Sequence, residues 1–200
     1  MHDATTRLRA VVLVGDVKRA VFLDRDGVLN HAVIRGGKPY PPLLLADLVV
    51  VEEAPACLRR LRELDFALIV ATNQPDVANG KQERDVVEAM NDQLRALMPI
   101  DDVLVCYHRD SDDCACRKPK PGMLTEAAAR HGIDLSASYM IGDRYRDVDA
   151  GQAAGCRTIW IDRGYAEPGP RWPADARVAS IGEATEWIVR TELLQRSKGT

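Results

Sequence analysis

The chain has 200 residues, 27 of them Lys or Arg and 30 Asp or Glu, for a formal net charge of −3. One domain is the default at this length, and 46% apolar with 28% charged residues describes a globular chain with a core of its own, not a disordered one. The charge balance lacks the basic footprint of a general nucleic-acid binder, no apolar run approaches the ~18 residues of a membrane span, and the first residues lack the order of a secretory signal, so a cytoplasmic protein is expected, with neither membrane nor nucleic acid as partner.

Residues 1–17 contain a VVLVG stretch that reads either as an extra edge strand or as a loosely ordered tail. They form an N-terminal extension of uncertain structure, ahead of a single domain over 18–200. Residues 20–24 (AVFLD) read as a buried strand ending in an acid, and residues 31–50 as a long Pro/Gly-rich loop. Ala54, Cys57, Leu58, Leu61 and Leu64 have the spacing of one helical face, which predicts a helix over 54–64. Residues 66–72 (FALIVAT) are a second strand. A helix follows over 82–98, with Val86, Met90, Leu94 and Leu97 on its apolar side and Pro99 stopping it. Then come a strand over 103–107, a helix over 122–131 ended by Gly132, and a strand over 139–142. A helix over 145–154 ended by Gly155, a strand over 158–161, a loop over 163–177 and a helix over 184–195 complete the chain. Alternating strands and helices with nearly continuous apolar strands predict an α/β fold, a doubly wound parallel sheet covered on both faces. Ligands of such sheets sit outside the carboxyl ends of the strands. That directs attention to Asp24, Thr72, Tyr107 and Asp143.

Acids gather at those ends. Asp24-Arg25-Asp26-Gly27 follows the first strand, and two carboxylates two residues apart in extended chain share a side. Asp143 and Asp147 are four apart at a helix start. Clustered carboxylates repel one another unless a cation lies between them, and Mg²⁺ binds through one or two carboxylates plus waters and phosphate oxygens. The plainer reading is that each acid caps a helix. Thr72-Asn73-Gln74 offers a hydroxyl, amides and backbone N–H groups to a phosphate. Arg117-Lys118 offers cations ahead of a helix N-terminus, itself an anion site; a solvated basic loop is the alternative there.

These motifs, FLDRDGVLN at 22–30, TNQ at 72–74, RKPKPGM at 117–123 and GDRYRD at 142–147, resemble the haloacid dehalogenase superfamily of phosphohydrolases. The resemblance implies a Rossmann-like domain. It makes Asp24 the nucleophile that forms an aspartyl-phosphate, and Asp26 the general acid and then base. Mg²⁺ would be held by Asp24, the backbone carbonyl of Asp26, and Asp143. Thr72, Asn73, Arg117 and Lys118 would bind the substrate phosphate. About 48 residues separate Asp24 from Thr72 and about 46 separate Thr72 from Lys118, too few for a cap domain, so a capless site is expected.

Cys106, His108, Cys114 and Cys116 form a C-x-H-x5-C-x-C cluster. Cys₃His is a closed tetrahedral zinc set, so Zn²⁺ there would be structural. A disulfide is the rival reading, less at home in a reducing compartment and leaving one thiol over. Cys57 and Cys156 read as small core residues. Within the superfamily the zinc loop resembles the branch of the heptose-bisphosphate and histidinol-phosphate phosphatases, and Pro121-Gly122-Met123 and Ser138–Asp143 resemble the heptose enzymes. The resemblance implies a monomeric phosphatase acting on a small phosphorylated metabolite, D-glycero-D-manno-heptose 1,7-bisphosphate first. Histidinol phosphate or another sugar phosphate, a polynucleotide 3′-phosphate, and a non-catalytic binding module are the alternatives. The chain departs from the family at Pro75-Asp76, where a backbone phosphate donor is lost, and at Tyr107.

Overall fold

The structure is a computed structural model that describes residues 18–197; the extension expected over 1–17 lies outside the described residues. Six strands form one sheet: β1 (Arg19–Leu23), β4 (Phe66–Asn73), β5 (Asp102–Cys106), β6 (Tyr139–Gly142), β7 (Arg157–Ile161) and β8 (Ala176–Val178). Their order is β5-β4-β1-β6-β7-β8, and every neighbouring pair is parallel. The chain builds outward from β1 through β4 to β5, then returns to the other side of β1 with β6. The strand order therefore reverses beside β1, which is where a doubly wound sheet opens a crevice at its carboxyl end.

The pleat sends alternate side chains to opposite faces. Val21 and Leu23 of β1 join Leu68, Val70, Ile141 and Ile159 on one face. There α1 (Ala54–Arg62), α3 (Arg84–Leu97) and α6 (Ile181–Arg196) cover them. Ala20 and Phe22 join Ile69, Leu104 and Met140 on the other. α4 (Gly122–His131) covers that face through Met123, Leu124 and Ala127. α5 (Tyr145–Ala154) lies there too, with Gly151 against Met140 and Thr158. Cys57 and Cys156 are buried, one on each face, as expected of core residues.

Three local expectations need correction. Residues 31–50 are not loop throughout: β2 (Val33–Arg35) and β3 (Lys38–Tyr40) form an antiparallel hairpin. Its turn is Gly36-Gly37, with φ of 57° and 75°, the left-handed backbone that a tight hairpin turn requires and glycine supplies. Residues 163–177 likewise contribute β8. A short helix, α2 (Pro75–Ala78), follows β4; its Pro75 sits at the helix start, where no intrahelical N–H bond is lost. In α3 the inward residues are Val87, Met90, Asn91 and Leu94, while Leu97 is 48% exposed. The stripe differs in phase because Asn91 turns inward to accept a hydrogen bond from Arg25 at 3.2 Å. A count of apolar residues cannot register that polar contact.

Candidate active site

Each strand that flanks the crevice delivers a polar residue as it ends. Asp24 leaves β1 with its N–H held by the Ile141 carbonyl at 2.9 Å, so the two central strands fix its position jointly. Lys118 arrives from the loop after β5 and is only 2% exposed. Its Nζ lies 2.9 Å from Asp24 Oδ1 and 2.5 Å from Asp147 Oδ1, and donates to the Ala71 carbonyl at 2.6 Å. Asp147 also accepts from the Arg144 N–H at 3.0 Å. It therefore caps its own helix and grips the lysine at once.

Asp24, Asp143 and Asp147 bring carboxylate oxygens within 4.8 Å of one another, all three residues buried. One ammonium cannot balance three carboxylates. Burial lifts Asp24 to about 6, against the pull of Lys118 and with the push of Asp147 and Asp26. Burial, with Asp24 and Asp147, pushes Asp143 well above the usual carboxylate range. Burial alone would lower Lys118, but the charges of Asp147 and Asp24 outweigh it and hold the ammonium above its usual range. The lysine gains from its partners while Asp24 stays raised, because a single cation is shared. Two negative charges are left over, and Asp143 Oδ1 is a buried oxygen with no partner. An oxygen-ligand divalent cation such as Mg²⁺ meets both needs, so these residues fit it.

Asp26 stands at the cleft with its carboxylate held from three directions. It accepts from Gln74 at 2.7 Å and Asn30 at 2.9 Å, and pairs with the fully buried Arg25 at 3.1 Å. The Gln74 amide also reaches Thr72 Oγ1 at 3.0 Å. Asp24, Asp26, Thr72, Asn73 and Lys118 line one cleft, walled further by Pro39, Tyr40 and Pro41, at and just after the hairpin, and by Arg144 and Arg146. Asn73 lines the cleft, yet both ends of its amide are engaged by the Lys118 peptide: Nδ2 donates to Lys118 O at 3.0 Å and Oδ1 accepts from Lys118 N at 3.1 Å. Arg117 lies in an adjoining groove with Arg146 and donates to Asp110 at 2.6 Å and to the His108 carbonyl at 3.2 Å. Arg144 and Arg146 do not form the local ion pairs with Asp147 and Asp149 that their spacing invites. Arg144 pairs with Glu167 and Arg146 with Asp110, because the loops carrying those acids fold back over α5.

Gln74, read from the sequence as a phosphate donor beside Thr72 and Asn73, instead holds Asp26. Arg25, Asn30 and Tyr165 are site residues the sequence reading missed; the first two sit inside quoted motifs, which is the available signal. Tyr165 donates to Asp143 Oδ2 at 2.7 Å from a segment read as loop, with no signal at all.

Cys106, His108, Cys114 and Cys116 place one ligand atom each within 4.8 Å of the others. Sulfur–sulfur distances run from 3.2 to 3.6 Å and His108 Nδ1 lies 3.3 Å from Cys116 Sγ. No pair is near the roughly 2.05 Å of a disulfide, and all cysteines are free. Zn–S bonds of about 2.3 Å would set sulfurs roughly 3.8 Å apart on a tetrahedron, close to the spacing seen. The donor set fits a four-coordinate metal. Cys116 precedes Arg117 and Lys118 directly, so the cluster anchors the segment that carries the buried lysine.

The HAD-hydrolase-like family model matches residues 115–184. A D-glycero-β-D-manno-heptose-1,7-bisphosphate 7-phosphatase of Pseudomonas aeruginosa is 33% identical over 149 residues, 72% of this chain and 81% of that protein. The corresponding α-anomer enzyme of Photorhabdus laumondii is 32% identical over 165 residues, 76% of this chain and 87% of that one. Among solved structures, the D,D-heptose 1,7-bisphosphate phosphatase of B. bronchiseptica, complexed with magnesium and phosphate, superposes with a TM-score of 0.74 at 26% identity, covering 86% of this chain and 99% of its own. The family match, the identity and coverage of these relatives and the superposable parallel sheet converge: the chain belongs to the haloacid dehalogenase superfamily and is a phosphatase, similar to the heptose-bisphosphate 7-phosphatases.

Proposed function

We propose that the protein is a Mg²⁺-dependent phosphatase that removes the C7 phosphate of D-glycero-D-manno-heptose 1,7-bisphosphate and leaves the 1-phosphate. The observation that carries the chemistry is the buried Lys118 shared by Asp24 and Asp147 beside the unpartnered oxygen of Asp143. The relatives' names supply the substrate, and they include both anomers, so the anomer is left open.

In this reading Asp24 attacks phosphorus and forms an aspartyl-phosphate. A carboxylate is a poor nucleophile for a phosphate dianion because both are negative. Lys118 offsets that repulsion and stabilises charge on the equatorial oxygens. Thr72 contributes its hydroxyl to the same oxygens. Asp26 gives a proton to the departing sugar oxygen, then takes one from the water that cleaves the acyl phosphate, returning Asp24 as carboxylate and releasing inorganic phosphate. Arg25, Asn30 and Gln74 aim the Asp26 carboxylate for both transfers. Asp24, Asp143 and the Asp26 carbonyl would hold Mg²⁺, which would supply the positive charge that lets phosphate approach three carboxylates. Cys106, His108, Cys114 and Cys116 would hold Zn²⁺ with all four positions filled by protein, so it would supply a cross-link and no catalytic site. Asn73 and Arg117 serve phosphate binding indirectly, one by clasping the Lys118 peptide and the other from the adjoining groove.

Asp24→Asn tests the assignment. It should leave the circular-dichroism spectrum unchanged and reduce kcat to below about a hundredth of the parent value. Residual turnover above that level would remove Asp24 as the nucleophile.

A further inference from the structure

We propose that Tyr165 is a positioning residue that presents Asp143 to the catalytic cation. The inference rests on the reading of Asp24 and Asp143 as cation ligands and goes beyond it by assigning a residue outside every recognised motif.

Asp143 is 2% exposed and its two oxygens are treated differently. Oδ2 accepts from the Tyr165 hydroxyl at 2.7 Å. Oδ1, buried and without a partner, is the oxygen left for a cation. The terminal torsion of an aspartate is broad, so a free carboxylate can rotate and blur which oxygen faces inward. Two contacts prevent that here. The hydroxyl fixes Oδ2, and Gly27 closes against it: a Cβ at that position would stand 1.7 Å from Oδ2 and 3.1 Å from the tyrosine oxygen. A hydrogen-bond partner behind a ligand sets its orientation and tunes its affinity.

Tyr165 is itself fastened. The neighbouring Arg163 donates to the Gly27 carbonyl at 3.0 Å. Ala166 donates its N–H to Gly37 in the hairpin turn at 2.8 Å, and Glu167 pairs with Arg144 at the cleft wall. Residues 163–167 thus form a strap across the loop after Asp26, the hairpin and the start of α5. The hydroxyl is held where it is by that strap and not by chance placement of a mobile ring.

The test measures Mg²⁺ binding itself. Isothermal titration of MgCl₂ into chelator-treated protein should give a Kd for the parent about tenfold tighter than for Tyr165→Phe. The variant's kcat at saturating Mg²⁺ should stay within about threefold of the parent. Its melting temperature in EDTA should match within a few degrees, the shift expected of a change under about 1 kcal/mol. Equal Kd values in parent and variant would overturn the role of Tyr165 while leaving the cation reading intact. No Mg²⁺ binding to the parent would overturn the cation reading and this inference with it. A variant that binds Mg²⁺ normally but turns over slowly would also contradict the proposal, since the effect would then bypass Asp143.

Discussion

Lys118 carries an ammonium to a place water hardly reaches, and only the acids around it make that position tolerable. Two carboxylates touch it and a third lies beside them, so the buried group keeps an excess of negative charge. The pH consequence has a definite sign. Asp24, at about 6, and Asp143 are raised above their unfolded values. Their contribution to stability is full below the unfolded carboxylate range, near about 4, and is lost as pH rises through the folded values. Added Mg²⁺ should therefore raise the melting temperature more at about pH 8 than at about pH 5, where it competes with bound protons. Asp143→Asn should abolish most of that increment. A Mg²⁺ increment independent of pH, or intact in the variant, would contradict the charge account. At this scale the residues at strand ends were legible because acids and cations after apolar runs are conspicuous. Arg25 and Asn91 were not. Their meaning lies in a contact between a β1 loop and α3, 66 positions apart, which local pattern cannot reveal.

Among the elements, the segment after β5 joins two functions that the sequence prints side by side. Its cysteines and histidine converge, and the next two residues reach the groove and the cleft. The Lys118 peptide is clasped by Asn73 at the end of β4, so the lysine is located from both directions. Protein purified without chelator should contain about one zinc per chain by elemental analysis. Stripping it should lower both the melting temperature and kcat, the latter because Lys118 loses one of its two anchors. A zinc content near zero, or full kcat after stripping, would refute the coupling. Helix α1 followed its periodicity, with Ala54, Cys57, Leu58 and Leu61 all buried. The hairpin β2–β3 and the edge strand β8 did not announce themselves. They are three residues long, polar in part, and sit among Pro and Gly residues. Pairing partners make them strands, not their own propensity.

The molecule as a whole places its chemistry where its topology turns back. β1 lies between β4 and β6, and Asp24, Thr72 and Asp143 emerge at the carboxyl ends of these three strands. The strand-end position of these three residues followed from strand–helix alternation; the strand order did not. The architecture does not identify the sugar, since one fold supports many substrates. The cleft walls are Pro39, Tyr40 and Pro41, at and just after the hairpin, with Arg144 and Arg146. None of these is part of the phosphoryl-transfer machinery. Among the described residues no helix is long and apolar enough to cross a membrane. The most direct test is kcat/KM with Mg²⁺ across a panel of phosphate esters containing both anomers of the heptose bisphosphate, histidinol phosphate, other sugar phosphates and a 3′-phosphorylated oligonucleotide. One heptose bisphosphate anomer should lead the panel by about a hundredfold or more, a margin of roughly 2.7 kcal/mol in transition-state binding; histidinol phosphate or the oligonucleotide matching or exceeding it would exclude the heptose bisphosphate as the substrate.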